Sequence, residues 1–109
     1  AKIRGKTEAL DIIYQDAAGK PFGLMVFTPP VVPYAYEYLA KWYGKNTYGY
    51  VPSFERGPIF YLLIEPDPEK PWSYNGWLET VIKEGTVIRA WNLPSGFIIQ
   101  KRIGDKDEG

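Results

Sequence analysis

The sequence contains no cysteine and no histidine. The chain therefore cannot form disulfides, thiolate or imidazole metal sites, or the usual imidazole acid–base catalysts. Its 13 basic and 13 acidic residues cancel, which removes the summed positive charge that draws proteins to nucleic acid or anionic lipid. It also lacks a glycine-rich phosphate loop. We expect no nucleic-acid partner, no metal, no cofactor and no catalytic residue in this chain alone.

Long apolar runs are missing as well. None approaches the ~20 residues of a membrane-spanning helix, and the first residues carry no signal-peptide hydrophobic region. The chain as given is therefore expected to be soluble, although its lone initial alanine and charged last residues suggest a piece of a longer protein. Its 109 residues allow one core, and a hydrophobic content of 45% is enough to order that core.

The first half of the chain predicts a helix, a strand and a second helix. Apolar spacing indicates a helix over residues 7–17, with Thr7 as N-cap and Gly19 as its left-handed end. An almost continuous apolar run over residues 22–28 predicts a buried strand. A second helix is expected over residues 34–43, ended by Gly44. Its predicted inner face is Ala35, Tyr38, Leu39, Trp42 and Tyr43, and its outer face is Tyr34, Glu37 and Lys41.

The second half predicts a loop over residues 45–57, a strand over 59–64 and a stiff acidic loop over 65–71. A third helix is expected over residues 75–84, and a hairpin follows with strands at 86–92 and 97–103. The order is α-β-α-β-α-β-β, which predicts a single small α+β domain, a mixed sheet with helices packed against it and a C-terminal hairpin. The expected organisation is a basic lead-in at 1–6, the domain at 7–104 and a disordered tail at 105–109.

Tyrosine and tryptophan are abundant outside the predicted strands. Their large amphipathic rings suit surfaces that stack on sugars, lie at a membrane boundary or form a protein interface. Helical phasing favours a core role for Tyr38, Trp42, Tyr43 and Trp77, whereas both roles stay open for Tyr34, Tyr48 and Tyr50. The candidate binding residues are Tyr34, Tyr36, Glu37, Tyr48, Tyr50, Glu65 and Asp67.

Two of these candidates, Glu65 and Asp67, follow a buried strand, where α/β folds tend to place ligand sites. Glu79 could approach them from the third helix. Paired carboxylates can supply the acid and base of glycoside cleavage. Because prolines surround them, ordinary turn chemistry explains them better. The basic residues Lys2, Arg4 and Lys6 allow either a solvated terminus or a juxtamembrane segment.

Several short runs carry a family resemblance. They are residues 15–22 (QDAAGKPF), 28–39 (TPPVVPYAYEYL), 42–44 (WYG), 65–68 (EPDP), 76–79 (GWLE) and 94–96 (PSG). Together they resemble the C-terminal soluble region of bacterial multispanning glycosyltransferases of the family 39 type, related to protein mannosyltransferases and aminoarabinose transferases. Glu37 stands where the resemblance leads us to expect an aspartate.

The resemblance implies a domain on the extracytoplasmic face of the membrane, following the last transmembrane helix of its parent chain. In such enzymes the donor is a polyprenyl-phosphate sugar, and the catalytic acid lies in the transmembrane part, so no catalytic residue is carried over. The leading interpretation is a non-catalytic accessory domain that positions acceptor or glycan through an aromatic surface. The alternatives are a free-standing carbohydrate- or peptide-binding module and, third, a small carboxylate-dependent glycosidase.

Overall fold

The computed structural model describes residues 2–27, 34–55, 57–65 and 85–104, with the backbone alone at 2–5 and 34–36. Within these ranges the chain forms two helices and four strands. They are α1 (Lys2–Ala17), β1 (Gly23–Phe27), α2 (Tyr34–Tyr48), β2 (Ile59–Ile64), β3 (Thr86–Asn92) and β4 (Ile98–Ile103). No helix in the described part of the chain is long and apolar enough to cross a lipid bilayer.

The four strands form one mixed sheet in the order β1-β2-β4-β3. β1 pairs with β2 in parallel, and β4 pairs antiparallel with both β2 and β3. The β3–β4 hairpin closes through the N–H of Leu93, which donates to the carbonyl of Phe97, and Gly96 adopts a positive φ of 97° in its turn. The predicted α+β class, mixed sheet and C-terminal hairpin are confirmed.

The central strand β2 organises the core, since alternate side chains of a strand point to opposite faces. Tyr61 and Leu63 belong to the main cluster, which they share with Leu24, Ile99 and apolar residues of α1. Phe60 and Leu62 form a second cluster with Met25. Every side chain from position 60 to 64 is fully buried, and each such burial stabilises the fold by about 1.5–3 kcal/mol relative to exposure.

Helix α1 begins at Lys2, five residues before the predicted N-cap Thr7. The prediction of this start was wrong because residues 2–6 contain good helix formers, and extending an existing helix costs far less than nucleating one. Its other end is as predicted. Ala18 and Gly19 both adopt positive φ, at 54° and 85°, directly after the last helical residue, so the chain leaves α1 in the left-handed conformation that glycine favours.

Helix α2 runs through Gly44 and ends at Tyr48, with Gly49 at a φ of 90° as its left-handed end. The predicted end at Gly44 was wrong. A methyl group built on Gly44 would overlap the hydroxyl and ring of Tyr14, so this glycine serves close packing of α2 against α1. The predicted loop therefore starts at Gly49 and not at residue 45.

The buried face of α2 also differs from the prediction. Ala40 and Gly44 are buried and Leu39 and Tyr43 are half-buried, but Tyr38 and Trp42 point outward. Small residues face α1 because they let the two helices approach closely, and this rotates the larger rings toward solvent. The predicted core role of Tyr38 and Trp42 was wrong.

The predicted helix over residues 75–84, most of the acidic loop and the tail at 105–109 lie outside the described residues. So do Asp67, Trp77 and Glu79.

Candidate functional site

Tyr48 and Tyr50, two of the candidate binding residues, join a cluster of rings between α1 and the segment that follows α2. The ring of Tyr48 stacks on Tyr14 with centroids 4.4 Å apart and planes 3° from parallel. Its hydroxyl donates to Asp11 Oδ1 over 2.6 Å. The hydroxyl of Tyr50 donates to the carbonyl of Lys20 over 2.9 Å. Both tyrosines therefore have a packing role, and a binding role for them stays a prediction.

Tyr14 lies at the centre of this cluster. Its hydroxyl donates to the carbonyl of Tyr50 over 2.8 Å, and the rings of Phe22 and Tyr50 meet it edge-on at 5.1 and 5.2 Å. Burial, and then the neighbouring Tyr50 and Tyr48, raises the pKa of Tyr14 to about 12. Such ring pairs each add about 0.5–1.5 kcal/mol beyond area burial. The cluster therefore holds α2 in a defined position on α1.

Replacing Tyr48 by phenylalanine should destabilise the domain by about 1 kcal/mol, because it removes a short hydrogen bond to the Asp11 carboxylate and keeps the ring stack. Urea unfolding measures the change. Tyr38→Phe, which removes the hydroxyl of an exposed tyrosine on the same helix, is the matched control and should stay within ~0.5 kcal/mol. Equal effects of the two substitutions would contradict the packing role of the Tyr48 hydroxyl.

The other candidate residues are distributed over two places. Tyr34, Tyr36 and Glu37 lie in the first turn of α2, where Glu37 is half-buried. Glu65 follows β2, and its N–H donates to the carbonyl of Phe27 over 2.9 Å at the end of β1. The structure thus brings Tyr48 and Tyr50 together but places Glu65 on a different element from all of these.

Tyr38 and Trp42 form a pair of exposed rings that the sequence analysis assigned to the core. Their exposed fractions are 74% and 58%. They are four residues apart on α2, which puts their Cβ atoms about 5–6 Å apart on one side of the helix. Both rings lie within the helix Tyr34–Tyr48, and the Nδ2 of Asn46 donates to the carbonyl of Trp42 over 2.8 Å. We call these two residues the aromatic pair.

A second feature is a polar cluster at the end of α1, made of Asp16, Tyr61, Arg89 and Lys101. Asp16 Oδ2 accepts from the Tyr61 hydroxyl and from Lys101 Nζ, both at 2.7 Å. Asp16 Oδ1 accepts from Arg89 Nη1 at 3.2 Å. We call this the Asp16 cluster. It ties α1 to three strands of the sheet through one carboxylate.

The carboxyl of Asp16 is held in its ionised form. Burial alone would raise its pKa, but hydrogen bonds from Lys101 and Tyr61 and the charges of Lys101 and Arg89 outweigh burial and lower the pKa. Burial and the hydrogen bond to Asp16 raise the pKa of Tyr61. A carboxylate with a lowered pKa is a weak general base at neutral pH. The cluster is therefore better suited to holding groups in place than to proton transfer.

A cavity of about 120 Å³ opens beside the Asp16 cluster. It lies between the end of α1, the turn that follows it, β2 and β4, and its lining includes Asp16, Tyr61 and Lys101. Sequence reasoning missed this site because its members come from distant parts of the chain and no local pattern links them. Among the described residues, no group of three or more carboxylates is placed to hold a metal ion.

Comparison of the chain with protein-family models, with curated proteins and with solved structures finds no match.

Proposed function

We propose that this domain is a non-catalytic glycan-binding domain, and that it works as the extracytoplasmic accessory domain of a membrane glycosyltransferase of the family 39 type. The observation that carries the proposal is the exposure of the aromatic pair. Two large exposed rings on one side of a helix form an apolar surface that a ligand or partner can cover. The flat C–H face of a sugar packs on such a ring, and the sugar hydroxyls reach nearby polar groups.

The position of the aromatic pair supports recognition of a glycan. Both rings stand on a regular helix that the tyrosine cluster fixes to α1, and binding groups on rigid elements are better placed than groups on loops. Lys41 is exposed and lies between them in the sequence, with its ammonium 5.8 Å from the ring centroid of Phe54. It can donate to a ligand hydroxyl beside the rings.

The accessory role rests on the sequence runs that resemble family 39 enzymes. In this proposal the membrane part of the same parent chain carries the sugar-transfer site, and the domain positions an acceptor glycan or a polyprenyl-phosphate-linked sugar near it. The Asp16 carboxylate agrees with a role without catalysis, because it is paired and ionised.

The test is calorimetric titration of the domain with methyl glycosides, glycan fragments and short polyprenyl-phosphate analogues. We expect saturable binding that weakens about fivefold in Trp42→Ala and in Tyr38→Ala, since a ring contact of this kind is worth about 1 kcal/mol. Stability should change by less than ~0.5 kcal/mol, because both side chains are exposed.

Ile88→Ala is the control, since it removes another exposed apolar side chain, 48% exposed, from β3 and should leave binding unchanged. Binding that survives the loss of both rings of the aromatic pair, or no saturable binding at millimolar ligand, would exclude the proposal.

A free-standing carbohydrate- or peptide-binding module is the second candidate, because the aromatic pair would serve a separate protein equally well. The sequence of the parent gene distinguishes the two candidate functions. Spanning-length apolar helices encoded upstream of this domain support the accessory role, whereas a gene that encodes the domain without them supports the module.

A further inference from the structure

We propose that the cavity beside the Asp16 cluster is a second ligand site, which takes one hydroxylated ring of a glycan. The assignment of the ring to a glycan rests on the function proposed above, but the site is built from residues separate from the aromatic pair. Its polar lining comes from Asp16, Lys20, Tyr61 and Lys101, and its apolar lining includes Phe22 and Ile59.

The polar lining can both accept and donate further hydrogen bonds. An ionised carboxylate has about four acceptor positions, and Asp16 uses three, two on Oδ2 and one on Oδ1. Lys101 has three N–H donors and directs one bond to Asp16 within the described part of the chain. Acceptor and donor therefore lie side by side. A ligand hydroxyl, which donates and accepts at once, matches this arrangement.

The pairing of Asp16 with Lys101 favours a neutral ligand over an oxyanion. The charged groups that line the cavity are Asp16, Lys20 and Lys101, and the negative end of the α1 dipole offsets part of their excess positive charge. The Lys101 ammonium already contacts Asp16 Oδ2 at 2.7 Å, so an oxyanion would have to compete with Asp16 for it. A neutral hydroxylated ring avoids this competition and leaves the Asp16–Lys101 pair intact.

The cavity size limits what can enter. A volume of about 120 Å³ is below the ~300–1,000 Å³ of sites that enclose a whole drug-sized ligand. One ring or its edge is the largest group that fits. The wall formed by Tyr61 and Phe22 is held in place by packing, because Tyr61 is fully buried and its ring meets Phe22 edge-on at 5.3 Å.

The experiment is a residue-resolved titration of the ¹⁵N-labelled domain with methyl mannoside and methyl glucoside, and separately with inorganic phosphate. A ring in the cavity should shift the amide signals of residues 16–20, 22, 59–61 and 101. A ring on the aromatic pair should shift those of residues 38–46. The two sites therefore report separately in one spectrum, and failure of one does not imply failure of the other.

Lys101→Met should weaken the cavity shifts about tenfold while leaving those of residues 38–46 unchanged, because methionine keeps the apolar stem and removes the ammonium. Trp42→Ala should weaken the shifts of residues 38–46 and leave the cavity shifts unchanged. Lys20→Met tests the cavity rim without touching the Asp16 pair, in case Lys101→Met disturbs folding, and should weaken the same shifts by a smaller factor.

The proposal is overturned if glycosides shift only residues 38–46 or shift nothing. It is also overturned if cavity shifts persist undiminished in both lysine variants, or if phosphate and not glycoside produces them.

Discussion

Gly44→Ala should destabilise the domain by about 2 kcal/mol, although alanine is the better helix former. Helix propensity alone would favour alanine by about 1 kcal/mol in the middle of α2. The added methyl group, however, would overlap the hydroxyl of Tyr14, and two further ring atoms of Tyr14 lie 2.7 and 3.1 Å from the methyl position. Overpacking of this kind costs about 1–3 kcal/mol, and here it should reach the top of that range or beyond.

Tyr14 cannot move aside cheaply, which is why packing should outweigh propensity. Its ring is held by the stack on Tyr48 and by edge contacts with Phe22 and Tyr50, and its hydroxyl donates to the Tyr50 carbonyl. Urea unfolding gives the free energy. In the double variant with Tyr14→Phe the hydroxyl overlap is gone, so Gly44→Ala should cost clearly less there. If the single variant Gly44→Ala is as stable as the wild type or more stable, α2 can shift on α1 at no cost in free energy. That result would contradict the prediction.

The sheet could be predicted from the sequence because its strands are short apolar runs with clear ends. β2 is six consecutive residues of high β-propensity, and a turn with Pro94 and Gly96 separates the strands of the hairpin. These signals are local, so a single sequence contains them.

The face of α2 could not be predicted for a physical reason. The pattern of Tyr38, Trp42 and Tyr43 has helical spacing and large apolar area, which favours a core role. In the structure the buried positions are Ala40 and Gly44, and Tyr14 of α1 fills the space that a larger residue at position 44 would need. Whether a ring or a small residue faces inward depends on the partner helix, and α2 alone does not specify its partner.

The candidate sites could not be predicted from the sequence for a related reason. Asp16 contacts Tyr61, Arg89 and Lys101, which are 45, 73 and 85 positions away, and only the pairing of β2 with β4 and of β4 with β3 brings these three together. The lone acidic residue at the end of a predicted helix gave no local sign of its partners. The sequence analysis identified both residues of the aromatic pair as unusual but assigned them to the buried side of α2.

Asp16→Asn should destabilise the domain by about 2 kcal/mol at pH 7, and this difference should shrink as the pH falls below about 4. Asparagine keeps the shape but loses the charge that Lys101 and Tyr61 bind, and hydrogen bonds to a charged group contribute about 1.5–3 kcal/mol. Arg89 adds little because its side chain is 60% exposed and its ion pair is screened. Lys101 matters more, since it and Asp16 are 20% and 13% exposed.

The sign of the pH dependence follows from the direction of the pKa shift. The pKa of Asp16 is lower in the folded state than the value of about 3.9 expected for the unfolded chain. A carboxyl with a lowered folded pKa contributes stability that is fully present above the unfolded pKa and is lost as the pH falls through the folded pKa. Urea unfolding of both proteins between pH 7 and pH 2 measures this directly.

Glu8→Gln is the control, because Glu8 is an exposed carboxylate on the same helix and its replacement should change the stability at pH 7 by less than ~0.5 kcal/mol. The Asp16→Asn curve should instead lie below that of the wild type at neutral pH and approach it in acid. Parallel curves for Asp16→Asn and the wild type would mean that the carboxylate titrates alike in both states. The Asp16 cluster would then not lock α1 to the sheet, and the wall of the cavity beside it would lack the ionised acceptor on which its ligand chemistry depends.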